Sequence, residues 1–178
     1  TLYTGAQVLF RSLNRGDSWQ EVSPDLTAND EGRTFGRGNI QFCTITTISE
    51  SPAAPGVIWV GTDDGRVQVT KNGGADWNDV TSAIEKAGGP HDRWVSRVFA
   101  SGHPPGPAYV AKNGYRHDDF APYLYKTADF GATWTSIGAG LPDQPINVVW
   151  QDRQNPELLF VGNDKGVWVS IDDGVRWV

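Results

Sequence analysis

One pattern of eight residues occurs four times along this chain of 178 residues. Each copy has Ser or Thr at the first position, Asp or Asn at the third, Gly at the fifth and Trp at the eighth. We call this pattern the frame, and its copies lie at 12–19, 70–77, 127–134 and 170–177. Such self-similarity indicates a repeat protein built from copies of one supersecondary unit. The residues that define the four frames are Ser12, Asn14, Gly16, Trp19, Thr70, Asn72, Gly74, Trp77, Thr127, Asp129, Gly131, Trp134, Ser170, Asp172, Gly174 and Trp177.

The residue types of the frame suit a tight hairpin turn. A short Asp or Asn side chain accepts hydrogen bonds from N–H groups of its own turn, and Gly permits a positive φ. Trp buries a large ring whose N–H needs a partner. Two frames carry Asn14 and Asn72 where the others carry Asp, and an amide is a poorer ligand than a carboxylate for a hard cation. We therefore predict a turn acceptor at the third position, no metal site and no cofactor.

Apolar segments flank the frames in a constant order. The segment 57–61 is apolar throughout, as a strand buried on both faces should be, whereas 66–69 alternates between polar and apolar residues. Similar pairs precede the other frames, a further apolar segment lies upstream of three of them, and a short segment follows each of the first three Trp residues. Four antiparallel strands in each repeat predict an all-β fold made of β-propeller blades.

The layout predicts a β-propeller fragment with about three and a half four-stranded antiparallel blades in one domain, 1–178. We expect a partial blade at 1–25, full blades at 40–82 and 94–139, and a partial blade at 145–178. The chain has no Met, starts at the second strand of a blade and stops as a fourth strand begins. The expected partners are therefore the missing blades of a parent propeller, or a second copy through self-association.

The frame matches the Asp-box, also called the BNR repeat. The whole chain resembles the large bacterial sortilin-like, glycosyl hydrolase-like BNR-repeat proteins, and the resemblance extends to the segments 9–12, 61–65, 94–97 and 122–126. It implies a non-catalytic propeller module that acts as a scaffold or binds a protein or a glycan. It also implies an extracytoplasmic location, periplasmic or secreted, and it supplies no catalytic residues.

A second hypothesis is that the chain is a fragment of a glycoside hydrolase propeller of the sialidase or xyloglucanase kind. Glycoside hydrolysis uses two carboxyl groups that face one bond, or in sialidases a Tyr nucleophile with an acidic partner. No spacing in the sequence singles out such a pair, so this hypothesis rests on analogy of fold. The catalytic residues of such an enzyme stay unassigned.

Strand direction predicts which end of the propeller carries the elaborated loops. In an antiparallel blade the frame shares one end with the first-to-second turn, and the second-to-third turn shares the other end with the links between blades. The frame end has short, proline-rich turns, whereas the other end has long links at 23–39 and 81–93 and an insertion at 112–122. We call this other end the link end and expect any binding site there.

Eight residues of the link end are candidates for ligand binding. Arg can grip a carboxylate or phosphate, Asp can accept hydrogen bonds from sugar hydroxyls or bind Ca²⁺, and His titrates near neutral pH. An alternative is that the Asp and Arg residues of the insertion pair with each other and brace the loop. The candidates are Asp63, Asp64, Trp94, Tyr115, Arg116, His117, Asp118 and Asp119.

Composition argues against several classes of partner. The net charge of −6 should repel nucleic-acid phosphates, and no stretch is apolar enough to insert into a membrane. The single cysteine, Cys43, excludes an internal disulfide and is expected to be a small buried residue of a strand.

Overall fold

The computed structural model describes residues 1–30, Gly32 and 42–178, and these form four antiparallel sheets that follow one another along the chain. Most of the predicted link 23–39, and the expected start of the second blade at residue 40, lie outside the described residues. The first sheet contains β1 (Leu2–Gly5), β2 (Leu9–Ser12) and β3 (Gln20–Glu21), and the second contains β4 (Ile45–Glu50), β5 (Ile58–Thr62), β6 (Val67–Thr70) and β7 (Asn78–Asp79). The third contains β8 (Trp94–Ala100), β9 (Ala108–Asn113), β10 (Tyr123–Thr127) and β11 (Thr135–Ser136), and the fourth contains β12 (Ile146–Gln151), β13 (Leu159–Asn163) and β14 (Gly166–Ser170).

The first strands of successive sheets pack side by side, β4 against β8 and β8 against β12. Each has a β-bulge at the same place, at Thr46, Ser96 and Asn147. The hydroxyl of Thr46 donates to the Val95 carbonyl at 2.8 Å, and that of Ser96 donates to the Ile146 carbonyl at 2.6 Å. The bulge thus turns a side chain towards the next sheet, and the hydrogen bond fixes the spacing between the two sheets.

Each frame closes the hairpin between the third and fourth strands with one set of hydrogen bonds. The first-position hydroxyl accepts the N–H of the fifth-position Gly at 2.8–3.0 Å in all four copies. The third-position side chain accepts the N–H of the seventh residue at 2.9–3.0 Å. These bonds form alike with Asn14 and with Asp172, so the side-chain oxygen, rather than a negative charge, closes the turn.

The frame also fastens each sheet to the one before it. The indole N–H of Trp77 donates to the Val22 carbonyl at 3.1 Å, and that of Trp177 donates to the Ile137 carbonyl at 2.8 Å. Both carbonyls belong to the residue three places after the Trp of the preceding frame. No sheet precedes the first frame within the described residues, and Trp19 is accordingly 44% exposed, compared with 9% for Trp177.

A short helix, α1 (Thr81–Lys86), lies in the second link, where the sequence analysis expected only a loop. The carboxylate of Asp79 accepts the Thr81 N–H at 2.8 Å, and Ile84 is fully buried beneath the link. A helical signal was present in the spacing of Ala83, Ile84 and Ala87 ahead of Gly88. It was overlooked because the segment is short and its apolar face is narrow.

The helix changes how the third frame docks. In the first turn of the helix, the carbonyl of Val80 accepts hydrogen bonds from the N–H groups of Ala83 and Ile84. Val80 holds the position in the second repeat that Val22 holds in the first. The carbonyl that would accept the Trp N–H of the next frame is therefore already occupied. Trp134 donates instead to the Gly131 carbonyl of its own frame at 3.1 Å. Its ring packs edge-on against Trp59, with centroids 5.9 Å apart, so this junction relies on aromatic packing.

Two buried residues, Lys112 and Cys43, lie close to the link end of the sheets. Lys112 on β9 is fully buried, its Nζ donates to the Pro90 carbonyl at 2.7 Å, and burial lowers its pKa to about 8. Cys43 is buried as expected, but it is not in a strand, because β4 begins at Ile45. Cys43 has a φ of 64°, a turn conformation that leads the chain into the strand.

We predict that Gly74→Ala destabilises the chain by about 3 kcal/mol. Gly74 has a φ of 102°, and a Cβ there would overlap the Val22 carbonyl oxygen that Trp77 binds. The matched control is Gly88→Ala, because Gly88 has a φ of 87° but nothing within 4 Å of the added Cβ. That variant should cost only about 1–2 kcal/mol, the strain of a positive φ. Equal losses of unfolding free energy in the two variants, measured by urea unfolding, would contradict the stabilising role of the frame contact.

Candidate functional site

The frames lie against the first-to-second turns of their own sheets. The N–H of Gly73 donates to the Gly56 carbonyl at 2.9 Å, and that of Asp173 donates to the Glu157 carbonyl at 2.8 Å. The second-to-third turns and the links therefore lie at the opposite end, which is the link end defined above.

The insertion after β9 is a compact turn built on Asn113 and Gly114. The side chain of Asn113 accepts the N–H of Tyr115 at 2.9 Å and starts a single 3₁₀ turn, Tyr115–His117. A Cβ at Gly114 would lie 2.5 Å from the Asp119 carbonyl oxygen, so only Gly fits where the two ends of the turn meet. The turn leaves Tyr115 64% exposed.

Asp119 holds the insertion to the second link. Its carboxylate accepts hydrogen bonds from Arg93 Nε at 3.0 Å, from the Tyr123 hydroxyl at 2.9 Å and from the Ala121 N–H at 3.3 Å. Burial alone would raise the pKa of Asp119, but these hydrogen bonds and the Arg93 charge outweigh burial and lower the pKa. Arg93 also pairs with Asp92 at 2.5 Å. Asp119 thus braces the loop, but its partner is Arg93 of the link and not Arg116, with which the alternative interpretation of the insertion expected a pair.

Asp63 and Asp64 are buried and serve the backbone around them. Asp63 accepts the N–H of Thr44 at 2.9 Å and its hydroxyl at 3.1 Å. Asp64 accepts the N–H of Ala28 at 2.8 Å and the hydroxyl of Thr62. The structure therefore places these two candidates beneath the links, where they hold the chain in place, and does not bring them to the surface with the others.

Three of the candidates, Trp94, Tyr115 and Arg116, meet around one cavity of about 170 Å³. Its remaining wall comes from Asn113, Asn147 and Asp164, and we call this cavity the Trp94 pocket. It lies at the link end, between the third and fourth sheets. His117 and Asp118 are exposed on the far side of the turn and do not line it.

A chain of hydrogen bonds fixes the polar wall of the pocket. The Asn113 amide donates to Asn147 Oδ1 at 3.0 Å, and the Asn147 amide donates to Asp164 Oδ1 at 2.8 Å. The second carboxylate oxygen of Asp164, Oδ2, receives no hydrogen bond from the described residues. The polar wall thus ends in an acceptor that a ligand can use.

The aromatic wall of the pocket carries a positive charge. The Arg116 guanidinium lies over the Trp94 ring, 5.4 Å from its centroid. Within the described part of the chain, no carboxylate lies in salt-bridge range of Arg116. The Trp94 indole nitrogen is buried and has no hydrogen-bond partner there. The pocket therefore presents an aromatic ring, a cation and an acceptor around a small space.

Sequence reasoning missed Asn113, Asn147 and Asp164. One signal was available, because Asp164 occupies the second-to-third turn of its sheet at the position that Asp63 holds in the second sheet. Asn147 could not have been singled out, because its role depends on a β-bulge that the sequence does not mark.

Across residues 1–30, Gly32 and 42–178, no three His, Cys, Asp or Glu residues group as metal ligands. Helices in these same ranges are too short and too polar to cross a membrane.

Comparison with known proteins identifies the fold. No model of a protein family matches the sequence, and no curated protein matches it either. The structure is similar to that of an ancestral GH74 enzyme, with a TM-score of 0.68 and 17% identity, over 98% of this chain and 22% of that one. It is similar to the GH74 xyloglucanase from Xanthomonas campestris, with a TM-score of 0.67 and 17% identity, over 99% and 28%. YCF48 from Cyanidioschyzon merolae matches with a TM-score of 0.54 and 22% identity, over 75% and 36%.

These matches, together with the four antiparallel sheets, confirm the predicted all-β, β-propeller fold class. The chain spans between 22% and 36% of the length of the three structures. At these identities the likeness establishes the fold and leaves the activity open.

We predict that Asp119→Asn loosens the insertion at 113–122 while the sheets stay folded. Loss of the charged hydrogen bonds to Arg93 and Tyr123 should speed amide hydrogen exchange in the insertion about tenfold. The control is Asp118→Asn, because that exposed neighbour makes none of these bonds. Similar exchange rates in the two variants would show that Asp119 does not brace the loop.

Proposed function

We propose that the chain is a non-catalytic β-propeller module that binds a carbohydrate in the Trp94 pocket. The observation that supports this proposal is the convergence of an aromatic wall and a wall of amide and carboxylate groups on one small cavity. Planar polar groups form hydrogen bonds with sugar hydroxyls, and the exposed ring of Tyr115 offers an apolar surface that suits the C–H face of a sugar. The cavity is too small for a drug-sized ligand and is open to the solvent.

The walls of the pocket are preorganised, which favours binding. Trp94 and Asn113 are the first residue of β8 and the last of β9, and these two residues are paired across the sheet. Asn147 is held between Asn113 and Asp164 by hydrogen bonds on both sides. A ligand that enters the pocket therefore orders few groups, and less binding free energy is lost to conformational entropy.

The acids of the link end support a binding role more than a hydrolytic one. Asp119 accepts hydrogen bonds from Arg93 and Tyr123, and Asp63 and Asp64 are buried under the links. Among the described residues, Asp164 is then the one carboxylate on the wall of the pocket. Glycoside hydrolysis in its usual form needs a second carboxyl group that faces the same bond.

We predict that Asp164→Asn and Asn147→Ala each lower the affinity for an oligosaccharide at least tenfold, because each variant loses a hydrogen bond to the sugar. The affinity is measured by tryptophan fluorescence and by calorimetry. Asp17→Asn, an exposed carboxylate at the frame end, is the matched control and should bind like the parent chain. Equal loss in the control, or no binding across a panel of neutral and acidic oligosaccharides, would refute the proposal. Release of shorter sugars during the titration would contradict the non-catalytic part.

We propose further that the frames are Asp-boxes of the BNR kind, and that the blades run over 1–25, 40–82, 94–139 and 145–178. The four repeated sets of turn hydrogen bonds support this assignment. The resemblance that goes with it supports an extracytoplasmic location, either periplasmic or secreted. Fusion of the full-length gene product to a reporter that is active on one side of the membrane tests the location.

The outer faces of the first and fourth sheets expose apolar side chains, which favours contact with further blades or with a second copy. Trp19 is exposed on the first sheet, and Val167, Ile171 and Val175 are about 70% exposed on the fourth. In the interior of the structure such faces are covered by the next sheet. We therefore expect the 178-residue chain to self-associate. Light scattering that shows a monodisperse monomer at high concentration would contradict this expectation.

A further inference from the structure

We infer that the sugar bound in the Trp94 pocket carries a carboxylate, as a uronic acid residue of an acidic polysaccharide does. This inference rests on the proposed function and specifies its ligand. Arg116 would bind the carboxylate, and the opposite wall, at Asn147 and Asp164, would bind the ring hydroxyls.

Arg116 differs from the other arginines of the link end, because it has no ion pair within the described residues. The arginines nearby are neutralised, since Arg93 pairs with Asp92 and Asp119, and Arg66 pairs with Asp79. Arg116 has no such acid within the described residues, although the chain as a whole carries a net charge of −6. A guanidinium that stays unpaired on an acidic protein is available to an anionic ligand.

The central carbon of the Arg116 guanidinium lies over the Trp94 ring, 5.4 Å from the ring centroid. The ring quadrupole attracts the cation, so this contact holds Arg116 at the wall of the pocket without using a hydrogen-bond donor. The N–H groups of a guanidinium form a planar fork, and a carboxylate accepts two parallel hydrogen bonds from it. The contact with Trp94 therefore leaves Arg116 able to bind a carboxylate.

The polar wall at Asn147 and Asp164 selects a ligand that also carries hydroxyls. Among the described residues Asp164 keeps one carboxylate oxygen without a donor, and a negative group placed beside it would be repelled. A hydroxyl donates to that oxygen, so the ligand must present hydroxyls at Asp164 and a negative charge at Arg116. A sugar acid has both on one ring, whereas a neutral sugar lacks the charge.

The test compares one ligand with and without its charge. Oligogalacturonate and its methyl ester have the same rings and hydroxyls, and only the first is anionic. We expect the parent chain to bind oligogalacturonate at least tenfold more tightly than the ester, with an affinity that falls as the salt concentration rises. Arg116→Gln should lower the affinity for the acid at least tenfold and abolish the preference for the acid over the ester.

Arg153→Gln is the matched control, because Arg153 is an exposed arginine of the frame end. It should keep the tenfold preference for the acid. Equal binding of acid and ester, sensitive to Asp164→Asn, would overturn the carboxylate inference and leave the proposed carbohydrate site standing. A preference for the acid that survives Arg116→Gln would overturn the role of Arg116. Absence of binding to both ligands and to the neutral panel would overturn the proposed function and this inference together.

Discussion

The contact between each frame and the preceding sheet is the interaction on which the rest of the structure depends. A hairpin turn closed by one hydroxyl and one Asx oxygen places its Gly against the residue that ends the previous repeat, and in the second and fourth frames its Trp donates to the carbonyl of that residue. Since an indole N–H that is buried without a partner is costly, this hydrogen bond selects one docking position for the second and the fourth sheet. The bulged hydroxyls of the first strands then set the spacing at the inner side.

Where the chain departs from this rule, it gains a feature at the link end. Helix α1 takes the Val80 carbonyl, and the third sheet then docks through Trp59 and Trp134. The same link contains Arg93, which donates a hydrogen bond to Asp119 and so fixes the insertion to the link. Because Arg93 pairs with Asp119, Arg116 has no acidic partner in the described part of the chain, and it lies on the wall of the Trp94 pocket. Asp119, which forms a structural ion pair, and Arg116, the proposed binding group, thus both come from the insertion.

Much of the fold could be predicted from the sequence, and the structure confirms the all-β class and the antiparallel sheets. Helix α1 was missed, and Cys43 proved to lie in a turn ahead of β4. The insertion was recognised as a candidate site, but its members play different parts, because neighbouring residues in a turn point in different directions. Asp119 braces the loop, whereas Arg116 lies on the Trp94 ring. The assignment of these residues to ligand binding stays a prediction.

The sequence by itself determined the repeated hairpin, because a turn is encoded by a few adjacent residues whose side chains bond to their own backbone. It also determined which end of the sheets is elaborated, since antiparallel pairing alternates the turns. Only the tertiary structure decided which polar groups meet in the Trp94 pocket. Asn113, Asn147 and Asp164 come from three different strand ends, and a bulge and the docking of two sheets bring them together. Such long-range placement depends on packing between repeats, which no local pattern records.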